Sequence, residues 1–143
     1  QLYRVNTIGA FQMIRAVVPV MKQTGGSIVN VASIAGLIGV GSSVAYACSK
    51  AAMLALNQSM ARNLGPEIRV NAVCPGMVEG EWLEEGLGKE TYALVKQHYE
   101  TQARTGKVMN AETVAENIWY FAASAPNVTG EHLILDGGAT LPY

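Results

Sequence analysis

The run Ser27-Ile28-Val29-Asn30-Val31-Ala32-Ser33 constrains the fold more than any other stretch of this chain. It is short, β-branched and uncharged, and it lacks the polar–apolar alternation of a strand with one face in water. Strands of parallel sheets, buried on both faces, look like this. A second strand is expected over residues 68–74, broken by Pro75-Gly76. A third is expected over 132–136, around Leu133-Ile134-Leu135, ended by Asp136-Gly137-Gly138. Helical patterns separate them. Residues 4–23 put Val5, Ile8, Phe11 or Gln12, Ile14, Val18 and Met21 roughly on one side, and Gly25-Gly26 ends that helix. After a Gly- and Ser-rich loop at 34–42, Ser43 to Leu64 reads as a long helix stopped by Gly65-Pro66. Asn110 is placed to cap a helix over 111–124, with Glu112 in its first turn. Strands alternating with helices predict an α/β fold with a parallel sheet and right-handed crossovers. A length of 143 residues suits one domain.

Several function classes are disfavoured at this stage. The formal charge is −1, and neither Lys nor Arg forms a run, so no nucleic-acid surface is expected. Residues 23–49 carry no charge, but the Gly and Ser within them and Asn30 fit a strand, loop and helix better than about 20 continuous apolar residues. No membrane span is expected. His98 and His132 stand alone, and no cluster has metal-ligand spacing, so no metal is expected. Cys48 and Cys74 sit in apolar stretches and read as two buried thiols in a reducing, cytoplasmic compartment. The chain opens Gln1-Leu2-Tyr3 inside a helical pattern, without an initiator Met or a secretory signal, which reads as a truncated start.

Carbonyl reduction by a nicotinamide needs a donor to polarise the oxygen, an acid to deliver a proton, and a group that tunes that acid. A Tyr hydroxyl, with a pKa of about 10, needs a neighbouring cation to work near neutrality. Residues four apart share a helix face, so Tyr46-Ala47-Cys48-Ser49-Lys50 sets an ammonium beside a phenol. Tyr92 and Lys96 repeat that spacing. The first pair alone has a Ser thirteen residues upstream, Ser33 at the carboxyl end of a strand, where parallel sheets bind their ligands. Tyr92 and Lys96 read as an ordinary helix-surface pair. Gly39-x-Gly41 echoes a dinucleotide fingerprint, but its third glycine position holds Val44, and it is rejected as a phosphate cradle.

The order Ser33, Tyr46-x-x-x-Lys50, Asn71-Ala72-Val73-Cys74-Pro75-Gly76-Met77-Val78, Val128-Thr129-Gly130 and Asp136-Gly137-Gly138 resembles the short-chain dehydrogenase/reductase family from about Val5 to Gly138. The resemblance implies a Rossmann-type, doubly wound parallel sheet, of which residues 1–143 would be the carboxy-terminal half of one domain. It implies an NAD- or NADP-dependent oxidoreductase acting on a small carbonyl or alcohol, assembled as a homodimer or homotetramer. Tyr46 would be the general acid–base and Lys50 would lower its pKa and contact the nicotinamide ribose. Ser33 would bond the substrate oxygen, Asn6 would help hold a water near the lysine, and Pro75, Gly76 and Val78 would lie along the nicotinamide.

Further expectations follow from the same resemblance. Ala45, Ala47, Ala51, Ala52 and Ala55 suit close helix packing in the family's subunit contact, and residues 79–107 cover the substrate; Asn30, apart from the resemblance, reads as satisfying backbone groups near the strand end. Gly80 stands where the family often has a Thr that contacts the cofactor. The family's glycine-rich first turn and Asn-Asn-Ala-Gly segment are not in this sequence, so NAD and NADP stay unseparated. The strand at 27–33 would also lack one of its two neighbours in the family's seven-stranded sheet. Two other readings stay open: a catalytically silent fragment or interaction module, and a relative with epimerase or dehydratase chemistry.

Overall fold

The computed structural model describes residues 1–142; Tyr143, the last residue of the expected domain, lies outside them. Three parallel strands form one sheet in the order β1 (Gly26–Val31), β2 (Ile68–Pro75), β3 (His132–Leu135). Gly26 pairs with Ile68 and Val31 with Val73; on the other side Ala72 pairs with His132 and Pro75 with Leu135. The central strand shows how a two-sided burial pattern is read out. Ile68, Val70, Ala72 and Cys74 point to one face, against Ile14 and Val18 of α1 (Ala10–Thr24) and Met53, Leu56 and Ala61 of α3 (Val44–Leu64). Val73 points to the other face, against Phe121 and Ile118. Arg69 and Asn71 share that second face. Their side chains donate to carbonyls of Phe121, Ala122 and Val128, so neither leaves a buried polar group unpaired.

The layers are therefore helix, sheet, helix. On the second face lies α6 (Ala111–Trp119), capped as its sequence predicts: Asn110 Oδ1 accepts from the Thr113 N–H at 2.9 Å. A π-helical turn, Tyr120–Ser124, completes the expected 111–124 helix. The segment after β2 holds α4 (Glu81–Leu87) and α5 (Lys89–Gln102). Among the described residues no helix is long and apolar enough to cross a membrane, and no group of three or more His, Cys, Asp or Glu could hold a metal ion.

Five expectations need correction. The first helix opens as a π-helical turn, Arg4–Gly9, and its apolar residues occupy more than one side. Ile14 is buried, but Val5 is 63% exposed, and Ile8 and Phe11 are exposed too. The strand at 27–33 ends at Val31; the Ala32 and Ile34 N–H groups still donate to Val73 and Pro75 carbonyls, which carries Ala32 and Ser33 beyond the strand end. The loop at 34–42 contains a short helix, α2 (Ala35–Ile38), whose start is held by the Ser33 hydroxyl accepting from the Ala35 N–H. Of the two thiols only Cys74 is buried; Cys48 is exposed. Asn30 bonds a side chain rather than strand-end backbone. Its Nδ2 donates to Asn57 Oδ1 at 3.0 Å, and Asn57 Nδ2 donates to the Glu131 carbonyl, tying β1 and α3 to the approach of β3.

The turn after β3 is organised by Asp136. Its carboxylate accepts from the Gly138 and Thr140 N–H groups, each at 2.8 Å, and from the Thr140 hydroxyl at 2.6 Å. Burial opposes the charge, but these hydrogen bonds outweigh it and hold the carboxyl below its ordinary 3.8. A depressed folded pKa gives stability that is present above the unfolded value and lost as pH falls through the folded one. Asp136→Asn should therefore lower the unfolding temperature at neutral pH. The gap from wild type should close as pH drops below 3.8. A gap independent of pH would show that the charge contributes nothing.

Candidate active site

Helix α3 begins where Ser43 turns its side chain back on the chain: its Oγ accepts from the Tyr46 N–H at 3.1 Å. That N-cap fixes Tyr46 in the first turn and Lys50 one turn later. Lys50 Nζ donates to the Val31 carbonyl at the end of β1, at 2.8 Å, and stands 5.7 Å from the Tyr46 ring centroid. Burial lowers the Lys50 pKa. Burial pushes Cys74 up to about 11, so it faces the lysine as a neutral thiol. Ser33, just past β1, is 8% exposed; its hydroxyl reaches the Pro75 carbonyl at 3.4 Å, a long contact for an O–H donor.

Ser33, Tyr46, Lys50, Pro75, Gly76 and Val78 all line one cleft of about 630 Å3 at the carboxyl ends of β1 and β2. The loop before α3 passes close over the tyrosine: a Cβ on Gly41 would stand 3.2 Å from Tyr46 Cδ1. Asn6 does not line the cleft. It lies in the π-helical turn behind α3, where its Nδ2 donates to Ser49 Oγ at 3.1 Å. Ser49 is fully buried, and its hydroxyl donates to the Tyr46 carbonyl at 2.7 Å. Sequence reasoning missed Ser49. The signal was available in the spacing Ser49, Met53, Asn57, the inward face of α3.

Tyr92 and Lys96 lie on α5, where Lys96 pairs with Glu79 at 2.6 Å in a partly exposed ion pair. Neither lines the cleft. Gly80 opens α4, where a Cβ would come within 3.3 Å of the Trp82 ring.

The fold and cleft define a Rossmann-type α/β protein with a Tyr–Lys pair and a Ser at the ends of its parallel strands. The family described as Enoyl-(Acyl carrier protein) reductase matches residues 1–140. The short-chain dehydrogenase/reductase homolog YusR of Bacillus subtilis is 39% identical, with 93% of this chain and 98% of that protein aligned. The 3-oxoacyl-[acyl-carrier-protein] reductase FabG of Thermotoga maritima is 36% identical over 96% of this chain and 55% of its own length. The solved structure of ElxO with NADP bound superposes with a TM-score of 0.83 at 27% identity, over 94% of this chain and 54% of that one. This chain belongs to the short-chain dehydrogenase/reductase family. It spans about half the length of FabG and ElxO and nearly all of YusR.

Proposed function

We propose that this chain carries the acid–base centre of an NAD- or NADP-dependent oxidoreductase that interconverts a secondary alcohol and a ketone. One observation carries the reading: Ser33, Tyr46 and Lys50, from two elements, line a single cleft at the strand ends. ElxO, a relative in structure, was solved with NADP bound. The residues here fit such a cofactor. Pro75, Gly76 and Val78 form a cleft wall free of charge, a Cβ on Gly76 would run into the Tyr99 hydroxyl behind that wall, and Lys50 supplies a cation beside it. When bound, the nicotinamide supplies hydride to the substrate carbon or accepts it. Tyr46 delivers a proton to the oxygen in reduction and removes it in oxidation. Lys50, 5.7 Å from the Tyr46 ring centroid and oriented by its bond to the Val31 carbonyl, supplies positive charge on the Tyr46 side of the cleft and would hold the ribose of a bound cofactor. Ser33 exchanges its long bond to Pro75 for one to the substrate oxygen. Asn6 acts at one remove, through Ser49, and steadies the turn of α3 that carries Tyr46 and Lys50.

The enzyme is cytoplasmic in this reading, with two free thiols, and assembles as a homodimer or homotetramer. Exposed Met13, Val17 and Val20 of α1 and the small exposed residues Ala45, Ala51 and Ala55 of α3 suit a contact between copies. The test is alcohol oxidation with each cofactor by the protein from its complete reading frame, beside Lys50→Met. Removing the charge should move the midpoint of the rise in rate with pH to higher pH. An unmoved midpoint would mean Lys50 does not tune the base, and no oxidation with either cofactor would sink the reading.

A further inference from the structure

We infer that the cleft takes an uncharged secondary alcohol or ketone flanked by hydrocarbon, as a ring or chain, and discriminates against polyols, carboxylates and phosphorylated compounds. The inference rests on the oxidoreductase reading and adds the substrate class. Seventeen residues line the cleft, and Lys50 alone among them carries a charge. Ser33, Ser42, Tyr46 and the indole N–H of Trp82 supply the other polar side-chain groups. Three of these five groups are committed to the reacting oxygen and the cofactor, which leaves Ser42 and one indole donor. A polyol would bring several hydroxyls out of water with two side chains to receive them, and an unpaired desolvated hydroxyl costs affinity. A carboxylate or phosphate would find no Arg on the wall and no cation other than the one already engaged.

The rest of the wall is apolar. Val40 comes from the loop before α3, Met77 follows β2, and Trp82 and Leu83 come from α4. Trp82 is 72% exposed and Val40 68% exposed, so two large apolar surfaces of this cleft are open to water. Helix α4 divides its faces accordingly. Glu81, Glu84 and Glu85 line a separate shallow depression, while Trp82 and Leu83 turn into the cleft. Those three carboxylates outnumber the one cation of the same depression, Lys89, and further disfavour an incoming anion.

The experiment uses the protein from its complete reading frame, with kcat/KM measured for cyclohexanol, 2-octanol, ribitol and 4-hydroxycyclohexanecarboxylate. The two uncharged apolar alcohols should lead by at least about 10²-fold, the scale set by leaving polar groups unpaired in a hydrophobic pocket. Trp82→Ala should lower kcat/KM for 2-octanol about tenfold through KM. Binding is read separately, as the fluorescence change on adding cyclohexanone that Trp82→Phe abolishes. Turnover led by ribitol or the carboxylate would overturn the inference and leave the oxidoreductase reading standing. Cyclohexanone binding at Trp82 with no turnover of any alcohol would support the apolar occupant and overturn the oxidoreductase reading instead. Absence of both binding and apolar turnover would overturn the inference.

Discussion

Tyr46→Phe is expected to lower kcat at least 10²-fold, the lower end of what one positioned acid–base group contributes. The substitution removes a single hydroxyl. The bond from the Tyr46 N–H to Ser43 and the ring's close approach to Gly41 survive in Phe, so the fold should hold. Circular dichroism and the unfolding temperature should match wild type, which separates lost chemistry from lost structure. Tyr92→Phe is the matched control. It has the same Tyr-x-x-x-Lys spacing, but its Lys96 is engaged by Glu79 and neither residue reaches the cleft. Near-wild-type kcat is expected there. Equal losses in the two variants would mean that the cleft pair has no special role.

Gly36→Ala should be strongly destabilising, because what it meets is backbone. A Cβ on Gly36 would stand 2.6 Å from the Lys50 carbonyl carbon and 2.7 Å from the Ala51 nitrogen. These are backbone atoms of α3, so no side chain can swing aside. Helix α2 must back away from α3, and overpacking of this kind costs about 1–3 kcal/mol. The contact falls on Lys50 itself, so kcat/KM should drop as well, by roughly tenfold for a shift well under an ångström. Gly86→Ala provides the contrast. It lies inside α4 with no heavy atom within 4 Å of the added methyl, so it should be neutral or stabilising by up to about 1 kcal/mol. If Gly36→Ala unfolds at the wild-type temperature, the close packing of α2 on α3 is not what the structure indicates.

The parts of the fold that were legible in the sequence are those set by local chemistry. The β-branched run around Val29, the Asn110 cap and the Ser43 start of α3 each announce themselves within a few residues. So does the Tyr46–Lys50 pair, because helix geometry alone brings it together. What was illegible depends on distant partners. The first helix has apolar residues on several sides, and periodicity could not say that Ile14 packs inward while Val5 and Ile8 face out. Helix α2 hides in a Gly- and Ser-rich stretch because its glycine serves a close approach to Lys50, not flexibility. Asn30 meets Asn57, 27 residues away, and Asn6 meets Ser49, 43 residues away; no local pattern marks either bond. Cys48 and Cys74 sit in similarly apolar sequence, yet one lies on an open helix face and the other on the central strand.

In the proposed reaction hydride is transferred in the cleft and the proton moves through Tyr46. A label followed through a single turnover of the complete protein, with a ketone and a nicotinamide deuterated at its transferable position, separates the two movements. Deuterium is expected on the product's carbinol carbon, with the proton on oxygen coming from solvent. Tyr46→Phe should slow this transfer without changing where the label goes. Deuterium lost to solvent, or transfer at an undiminished rate in Tyr46→Phe, would contradict the proposed reaction.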